Sequence, residues 1–130
     1  MKTAYDTLEI SIDAHVATVT LARPPVNAQN RPSRIELTEV FDALGDRQDV
    51  RAIVLTNTGK VFSAGADIKE RAGMAAEDGD YILHNRITRE YLYAVQDCAK
   101  PVIGAIRGPA IGAGFALMMC CDILYASRTA

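Results

Sequence analysis

Hydrophobic and polar residues alternate along two short runs near the start of the chain, residues 8–12 and residues 16–21. Successive side chains of a strand point to opposite faces, so this alternation predicts two half-buried strands. The three residues between the runs predict a tight turn, which would make the pair a β-hairpin. Pro24 and Pro25 then predict the end of the second strand.

The next segment repeats its apolar residues at helical spacing. Ser33 is followed three residues later by Glu36, which predicts a capping box with Ser33 at the helix start, and Pro32 precedes it. Gly45 predicts the end of this helix. The apolar positions that define its buried face are Leu37, Val40, Phe41 and Leu44.

From residue 52 onward, short apolar runs alternate with helical patterns. The runs 52–55 and 102–106 predict buried strands, the first of them parallel to its neighbours, and the run 122–126 predicts a last strand. Helices are predicted over 81–98 and 112–121, and the small, acidic segment 73–80 predicts a mobile surface loop. This alternation indicates an α/β fold, and residues 1–130 make a single domain.

Composition and charge narrow the function classes. Apolar residues make up 49 % of the chain and charged residues 23 %, which excludes a disordered protein. A net charge of −2 gives the chain no positive electrostatic potential that would attract nucleic acid or an anionic membrane, so we expect neither as a partner.

The sequence also bears on the location of the protein. The apolar run 110–121 is shorter than a membrane span, and no secretory signal is apparent. Three cysteines without a C-x-x-C pair indicate neither zinc nor disulfides, so we expect a cytoplasmic protein.

Two glycine-containing segments, residues 62–69 and 108–114, each follow a buried strand and precede a helix. The first N–H groups of a helix lack partners within it, and small residues let a ligand approach them. Two such turns facing each other would donate two hydrogen bonds to one oxygen, which is an oxyanion hole. The alternative is that both are tight turns with close packing and no ligand.

Known nucleotide motifs do not explain these segments. Gly112 and Gly114 lack the third small residue of the dinucleotide fingerprint, and they come late in the chain. A P-loop requires Gly-Lys followed by Ser or Thr, which the sequence does not contain. We therefore expect no nucleotide-binding fold.

Three strings resemble the enoyl-CoA hydratase/isomerase (crotonase) superfamily. Residues 60–70 (KVFSAGADIKE) resemble its first signature. Residues 100–114 (KPVIGAIRGPAIGAG), continuing into 118–123 (MMCCDI), resemble its second. Residues 23–28 (RPPVNA) resemble the loop after its N-terminal hairpin. Order and spacing agree across essentially the whole chain.

The resemblance implies a crotonase-like spiral of ββα units that binds acyl-CoA thioesters, with coenzyme A as part of the substrate and no separate cofactor. It implies that the backbone N–H groups of Ala66 and Ala113 form the oxyanion hole, and that the whole protein is a homo-oligomer, a trimer or hexamer. The positions implied to contact substrate or coenzyme A are Val26, Ala28, Ala64, Gly65, Asp67, Ile68, Lys69 and Gly112.

Two departures from the family pattern leave the reaction open. Hydratases of the family carry a glutamate where this chain has Ala116, and the second glutamate of the family would lie beyond residue 130. The fold is therefore expected to be incomplete at its C-terminus, either as a fragment or as a truncated gene. A hydratase, an isomerase with its base elsewhere, and a non-catalytic acyl-CoA binder remain alternatives. The serine-peptidase branch of the fold is not favoured, because residues 111–115 contain no serine.

Few side chains offer acid–base chemistry. His84 near a helix start is a candidate acid or base, although a solvated surface histidine is the common case. His15 is expected to be exposed, and Asp67 is expected to cap its helix. Lys69 would either contact a phosphate of coenzyme A or remain solvated. No metal site is expected, and four residues are expected to be core rather than ligands: Met118, Met119, Cys120 and Cys121.

Overall fold

Within residues 1–74 and 79–130, which the computed structural model describes, five strands form one sheet in chain order. Strands β1 (Leu8–Asp13) and β2 (Val16–Leu21) pair antiparallel, as the predicted hairpin requires. Strands β3 (Ala52–Asn57), β4 (Val102–Ile106) and β5 (Ile123–Ala126) each run parallel to the strand before them. The prediction of an α/β fold with a parallel β3 is confirmed.

Four helices connect or follow these strands in the described residues: α1 (Arg31–Asp46), α2 (Ile68–Ala72), α3 (Asp80–Gln96) and α4 (Ala113–Met119). Helix α1 continues one residue past the predicted stop at Gly45. Helix α3 begins at the last residue of the predicted loop 73–80, and residues 75–78 of that loop lie outside the described residues.

The main core lies between the sheet and the paired helices α1 and α3. Strands β2 and β3 alternate buried and more exposed side chains, as their sequence pattern predicts. The predicted face of α1 is almost wholly buried, with Leu37, Val40, Phe41 and Leu44 each 0–1 % exposed. From α3, the side chains that join this core are Ile87, Tyr91 and Val95.

The start of α1 differs from the predicted capping box. Asn30, not Ser33, is the N-cap: its side chain accepts from the Ser33 N–H, while Ser33 Oγ accepts from the Asn30 N–H. Glu36 is buried and accepts from the backbone N–H groups of Asp6 and Thr7 instead. The box exists three residues earlier because Asn and Ser can form the same reciprocal pair as Ser and Glu.

The C-terminal part of the described chain is more exposed than its sequence suggests. In α4 only one side faces the core: Leu117 is fully buried, whereas Phe115 is 51 % and Met119 58 % exposed. The prediction that Met119 belongs to the core is therefore wrong. All four residues of β5 are exposed as well. Among the described helices, none combines the length and the apolar character that crossing a membrane requires.

Candidate functional site

The first glycine-containing turn is held by the main chain of Gln29. The Gln29 N–H donates to the Gly65 carbonyl at 2.7 Å, and the Asp67 N–H donates to the Gln29 carbonyl at 2.8 Å. In this parallel bridge the polar groups of Ala66, the residue opposite Gln29, point away from Gln29. Within residues 1–74 and 79–130, the Ala66 N–H donates to no acceptor.

The second turn is held by the main chain of Ser63. The Ile111 N–H donates to the Ser63 carbonyl at 3.0 Å, and the Gly114 N–H donates back to the Ile111 carbonyl at 2.9 Å. Ala113 is the first residue of α4, where helix geometry leaves N–H groups without an internal partner. The part of the chain that the structure describes supplies no acceptor for the Ala113 N–H.

The two turns pack backbone against backbone. Gly65 has φ +94°, and a Cβ placed there would lie 2.7 Å from the Ile111 carbonyl oxygen and 3.3 Å from the Ala113 nitrogen. A Cβ at Gly114 would overlap the Ser63 carbonyl oxygen. Only glycine fits such close approaches. The glycines of the two motifs thus bring Ala66 and Ala113 onto neighbouring segments, each with an N–H that has no described partner.

An open cleft of about 380 Å³ runs along the first turn. Its lining includes Ala66 and six of the eight residues implied to contact substrate or coenzyme A: Val26, Ala28, Ala64, Asp67, Ile68 and Lys69. Gly65 is buried beneath it, and Gly112, Ala113 and His84 are not part of its lining. The structure therefore gathers most of the expected contacts in one place, beside the turn that carries Ala66.

Asp67 has a structural role at the floor of this cleft. Its carboxylate accepts from the N–H groups of Lys69 and Glu70, which confirms the predicted helix cap. It also pairs with the Arg23 guanidinium at 3.0 Å. The Glu70 N–H and Arg23 together hold the pKa of Asp67 below its usual value. An ionised carboxylate tied to these partners is suited to fixing the turn rather than to moving protons.

His84 is half-buried near the start of α3, and its Nδ1 lies 3.4 Å from Nη1 of Arg34. Burial is the largest cause that lowers the pKa of His84, followed by the charges of Arg34 and Arg71. His84 is thus neutral near pH 7. The alternative that His84 is a solvated surface histidine is not what the structure has, because the side chain is half-buried. His15, by contrast, is exposed as expected and contacts the Asp49 carbonyl.

Arg34 is a buried charged residue beside His84 that the sequence analysis missed. Its side chain is 2 % exposed, and Nη1 lies 3.7 Å from a carboxylate oxygen of Glu70. Its Nε is buried and has no hydrogen-bond partner among residues 1–74 and 79–130. Arg34 comes three residues before Leu37 and seven before Phe41, so it occupies the apolar face of α1. A charge at a core position of a helix was the signal that could have identified it.

Gln29 was missed as well, although it contacts both turns. Its side chain is almost fully buried, donates from Nε2 to the Ala113 carbonyl at 3.2 Å and accepts from the Tyr91 hydroxyl at 2.6 Å. No local pattern could have revealed these contacts, because the partners lie 62 and 84 positions away along the chain.

Other reactive groups contribute little. Burial raises the pKa of all three thiols, that of Cys121 to about 12, so they remain protonated at neutral pH. In the ranges 1–74 and 79–130, no three His, Cys, Asp or Glu side chains are grouped closely enough to hold a metal ion.

Comparison with known proteins assigns these features to a family. The family model for enoyl-CoA hydratase/isomerase matches residues 11–130. A Bacillus subtilis protein named "Probable enoyl-CoA hydratase" is 33 % identical over 95 % of this chain and 47 % of its own length. The human mitochondrial Δ(3,5)-Δ(2,4)-dienoyl-CoA isomerase is 36 % identical over 98 % of this chain and 42 % of its own length.

Solved structures agree with this match. An enoyl-CoA hydratase from Bacillus anthracis superposes with a TM-score of 0.88 at 30 % identity, covering 96 % of this chain and 49 % of that one. An enoyl-CoA hydratase/carnitine racemase from Magnetospirillum magneticum superposes at 0.90 with 33 % identity, over 97 % and 48 %. The fold is therefore the crotonase fold, and the chain spans about half the length of the relatives it matches.

Proposed function

The chain belongs to the enoyl-CoA hydratase/isomerase family, and we propose that it forms the thioester-binding part of an acyl-CoA enzyme. In this proposal the thioester oxygen accepts hydrogen bonds from the Ala66 and Ala113 N–H groups. One observation carries it: these two groups lie on turns packed directly against each other, and neither donates to an acceptor in the described residues.

The chemistry of a thioester explains why such a pair would matter. Removing the proton next to a thioester, or adding water across a conjugated one, builds negative charge on the thioester oxygen. Backbone donors fixed by the fold stabilise that charge without having to reorient, and removing one such donor in known enzymes costs about 10²–10³-fold in rate. Donors that bind the enolate better than the substrate raise the rate of the chemical step itself.

Coenzyme A would occupy the cleft beside Ala66. Arg23 is already paired with Asp67, whereas Lys69 is exposed at the cleft and offers its ammonium group to a phosphate. The family resemblance puts the adenine end near residues 26–28, which also line the cleft. On the same ground we propose that the whole protein is a homo-oligomer, and from its three cysteines without a C-x-x-C pair we propose that it is cytoplasmic.

The structure favours a second candidate for this chain by itself, a non-catalytic acyl-CoA binder. Helix α4 begins at the oxyanion turn but presents Phe115, Ala116 and Leu117, none of which titrates. The neutral His84 does not line the cleft. The geometry of the described residues supports binding and polarisation of the thioester in this proposal, whereas proton transfer would require a group that Phe115, Ala116, Leu117 and His84 do not supply.

Infrared spectroscopy of a thioester labelled with ¹³C at the carbonyl tests the proposal. We expect butyryl-CoA to bind the 130-residue chain, and its carbonyl stretch to move to lower frequency because two N–H groups polarise it. Ala113→Pro, which removes one donor at a helix position that tolerates proline, should reduce the shift. The matched variant Ala113→Gly keeps the N–H and should retain it. An unshifted carbonyl in the bound parent chain would exclude the oxyanion hole.

A further inference from the structure

We propose that Gln29 is a positioning residue that helps to hold the two thioester-binding turns in place relative to each other, beside the main-chain bond between Ile111 and Ser63, and that Tyr91 orients its side chain for this purpose. The inference rests on the proposed function, because it concerns how the two N–H donors are held. It adds two residues to the site that neither touch the thioester nor belong to the glycine-containing motifs.

The main chain of Gln29 fixes the first turn. By donating to Gly65 and accepting from Asp67, it holds the residues on both sides of Ala66, with bonds of 2.7 and 2.8 Å. The orientation of the Ala66 N–H is therefore determined by Gln29, since its neighbours on both sides are tied to the same residue.

The side chain of Gln29 reaches the second turn. Its Nε2 donates to the Ala113 carbonyl at 3.2 Å, so one residue is bonded to both donor segments. A carbonyl oxygen can only accept, which requires the amide nitrogen rather than the amide oxygen to face Ala113. The relative position of the two turns at Ala113 is thus coupled to this side chain, in addition to the main-chain bond that already joins Ile111 to Ser63.

Tyr91 fixes that orientation from helix α3. Its hydroxyl is fully buried and donates to Gln29 Oε1 at 2.6 Å, which leaves Nε2 directed at Ala113. Gln29 itself is 3 % exposed. Burying an amide is costly unless it is hydrogen-bonded, and a leucine of similar size would fill the same space. The hydrogen bonds to both partners are what an apolar residue at position 29 could not provide.

The test compares Gln29→Leu and Tyr91→Phe with the parent 130-residue chain, using ¹³C-labelled butyryl-CoA and free coenzyme A as probes. Gln29→Leu should weaken butyryl-CoA binding about five- to tenfold, the equivalent of one buried hydrogen bond, and should diminish the carbonyl shift. Tyr91→Phe should have a smaller effect of the same kind. Binding of free coenzyme A, which has no thioester carbonyl, should not change in either variant.

Thr56→Val serves as the matched control. Thr56 also makes a side-chain bond to a backbone carbonyl, from Oγ1 to Ala105 at 2.8 Å, but it contacts neither turn. Its removal should leave both the carbonyl shift and butyryl-CoA binding as in the parent chain. If Gln29→Leu does not fold, Tyr91→Phe alone decides, because it changes only one hydroxyl.

Three results would separate the possible failures. If the parent chain shows no carbonyl shift, the proposed oxyanion hole is wrong, whatever the variants do. If the parent shows the shift and folded Gln29→Leu or Tyr91→Phe retains all of it, the positioning role is wrong and the oxyanion hole stands. If free coenzyme A binding weakens as much as butyryl-CoA binding, the variants distort the whole cleft and the positioning role is again wrong.

Discussion

The two glycine-containing turns and the side-chain cluster of Arg34, Glu70 and His84 are neighbouring regions built in opposite ways. Main-chain hydrogen bonds of 2.7–3.4 Å hold the turns, and a Cβ added at Gly65 or Gly114 would meet the backbone of the other turn. The side chains of the cluster lie 3.4 and 3.7 Å apart, and one buried nitrogen of Arg34 has no partner in the part of the chain that the structure describes. The turns are fixed by short main-chain bonds and leave the N–H groups of Ala66 and Ala113 without a described partner. The side chains of the cluster are paired at longer distances, and the charge of Arg34 is only partly balanced by Glu70.

This difference shows where sequence change is tolerated. A turn held by its main chain has little room for side chains where two backbones approach closely, so Gly65 and Gly114 should tolerate no replacement, whereas positions without such an approach should tolerate more. A cluster held by side chains depends on each charge in turn, because removing one alters the electrostatic environment of the rest. Substitutions in the two regions should therefore differ both in kind and in size.

The largest effect is expected at Gly114. In Gly114→Val, the added Cβ would overlap the Ser63 carbonyl, which is backbone and cannot move aside without separating the turns. We expect the free energy of unfolding to fall by about 4 kcal/mol or more, the range of severe core disruption. Chemical denaturation followed by circular dichroism measures the change.

Gly112→Ala is the control for this prediction. Gly112 has φ +57° and ψ −120°, dihedral angles that residues with a Cβ rarely adopt, but a Cβ there meets nothing within 4 Å, so the only cost is backbone strain of about 1–3 kcal/mol. If both variants lose the same free energy of unfolding, the close approach of the two turns does not contribute to stability. The statement that the turns depend on their glycines more than the Arg34 cluster depends on its charges would then be wrong.

The second largest effect concerns rate. Ala116 lies in α4, three residues after Ala113, at the position where the family resemblance implies a glutamate in hydratases. We expect slow or undetectable hydration of crotonyl-CoA by this chain, and Ala116→Glu should raise the rate by about 10²-fold, the lower end for a general acid–base group. Loss of crotonyl-CoA absorbance measures it, and Ala116→Gln, equal in size but unable to titrate, should give no gain. Rapid hydration by the parent chain would contradict the prediction.

The same contrast explains what the sequence could predict. The strands, the cap at Asp67 and the two turns follow from local patterns, since each depends on residues a few positions apart. The helix start was predicted three residues too late. The prediction placed the N-cap at Ser33 and the structure has it at Asn30, but Ser33 takes part in both the predicted and the observed capping box.

The contacts of Gln29, Arg34 and Met119 depend on distant elements and could not be predicted in this way. Arg34 meets its partners on α2 and α3, which lie 36 and 50 positions further along the chain. Met119 continues an apolar run that predicts burial, but its exposure depends on which elements pack against α4. Local periodicity identifies an apolar surface and does not identify what covers it.

A smaller effect is expected from the Arg34–Glu70 pair. Glu70→Gln keeps an oxygen to accept from the Arg31 N–H but removes the carboxylate facing Arg34, and should cost about 1 kcal/mol of unfolding free energy. In an Arg34→Met background the same change should cost less, because no buried guanidinium then needs a counter-charge. Equal costs in both backgrounds, measured by denaturation in a double-mutant cycle, would show that Glu70 does not balance Arg34.

The smallest effect is the titration of His84. Burial, then Arg34 and Arg71, lower its pKa below the usual 6.5, while Glu70 opposes this. Between the lowered pKa of His84 and 6.5 the unfolded chain binds more protons than the folded chain, so the free energy of unfolding should fall as the pH drops through that window.

Two substitutions should shift this pKa in opposite directions. Arg34→Met should raise the pKa of His84 only part of the way to 6.5, because burial is the larger cause and remains, and Glu70→Gln should lower the pKa further. Proton NMR titration, with His15→Gln to assign the imidazole signals, measures both shifts. A pKa of His84 that is unaffected by either substitution would show that its environment is set by burial alone, and that the cluster is not an electrostatic unit.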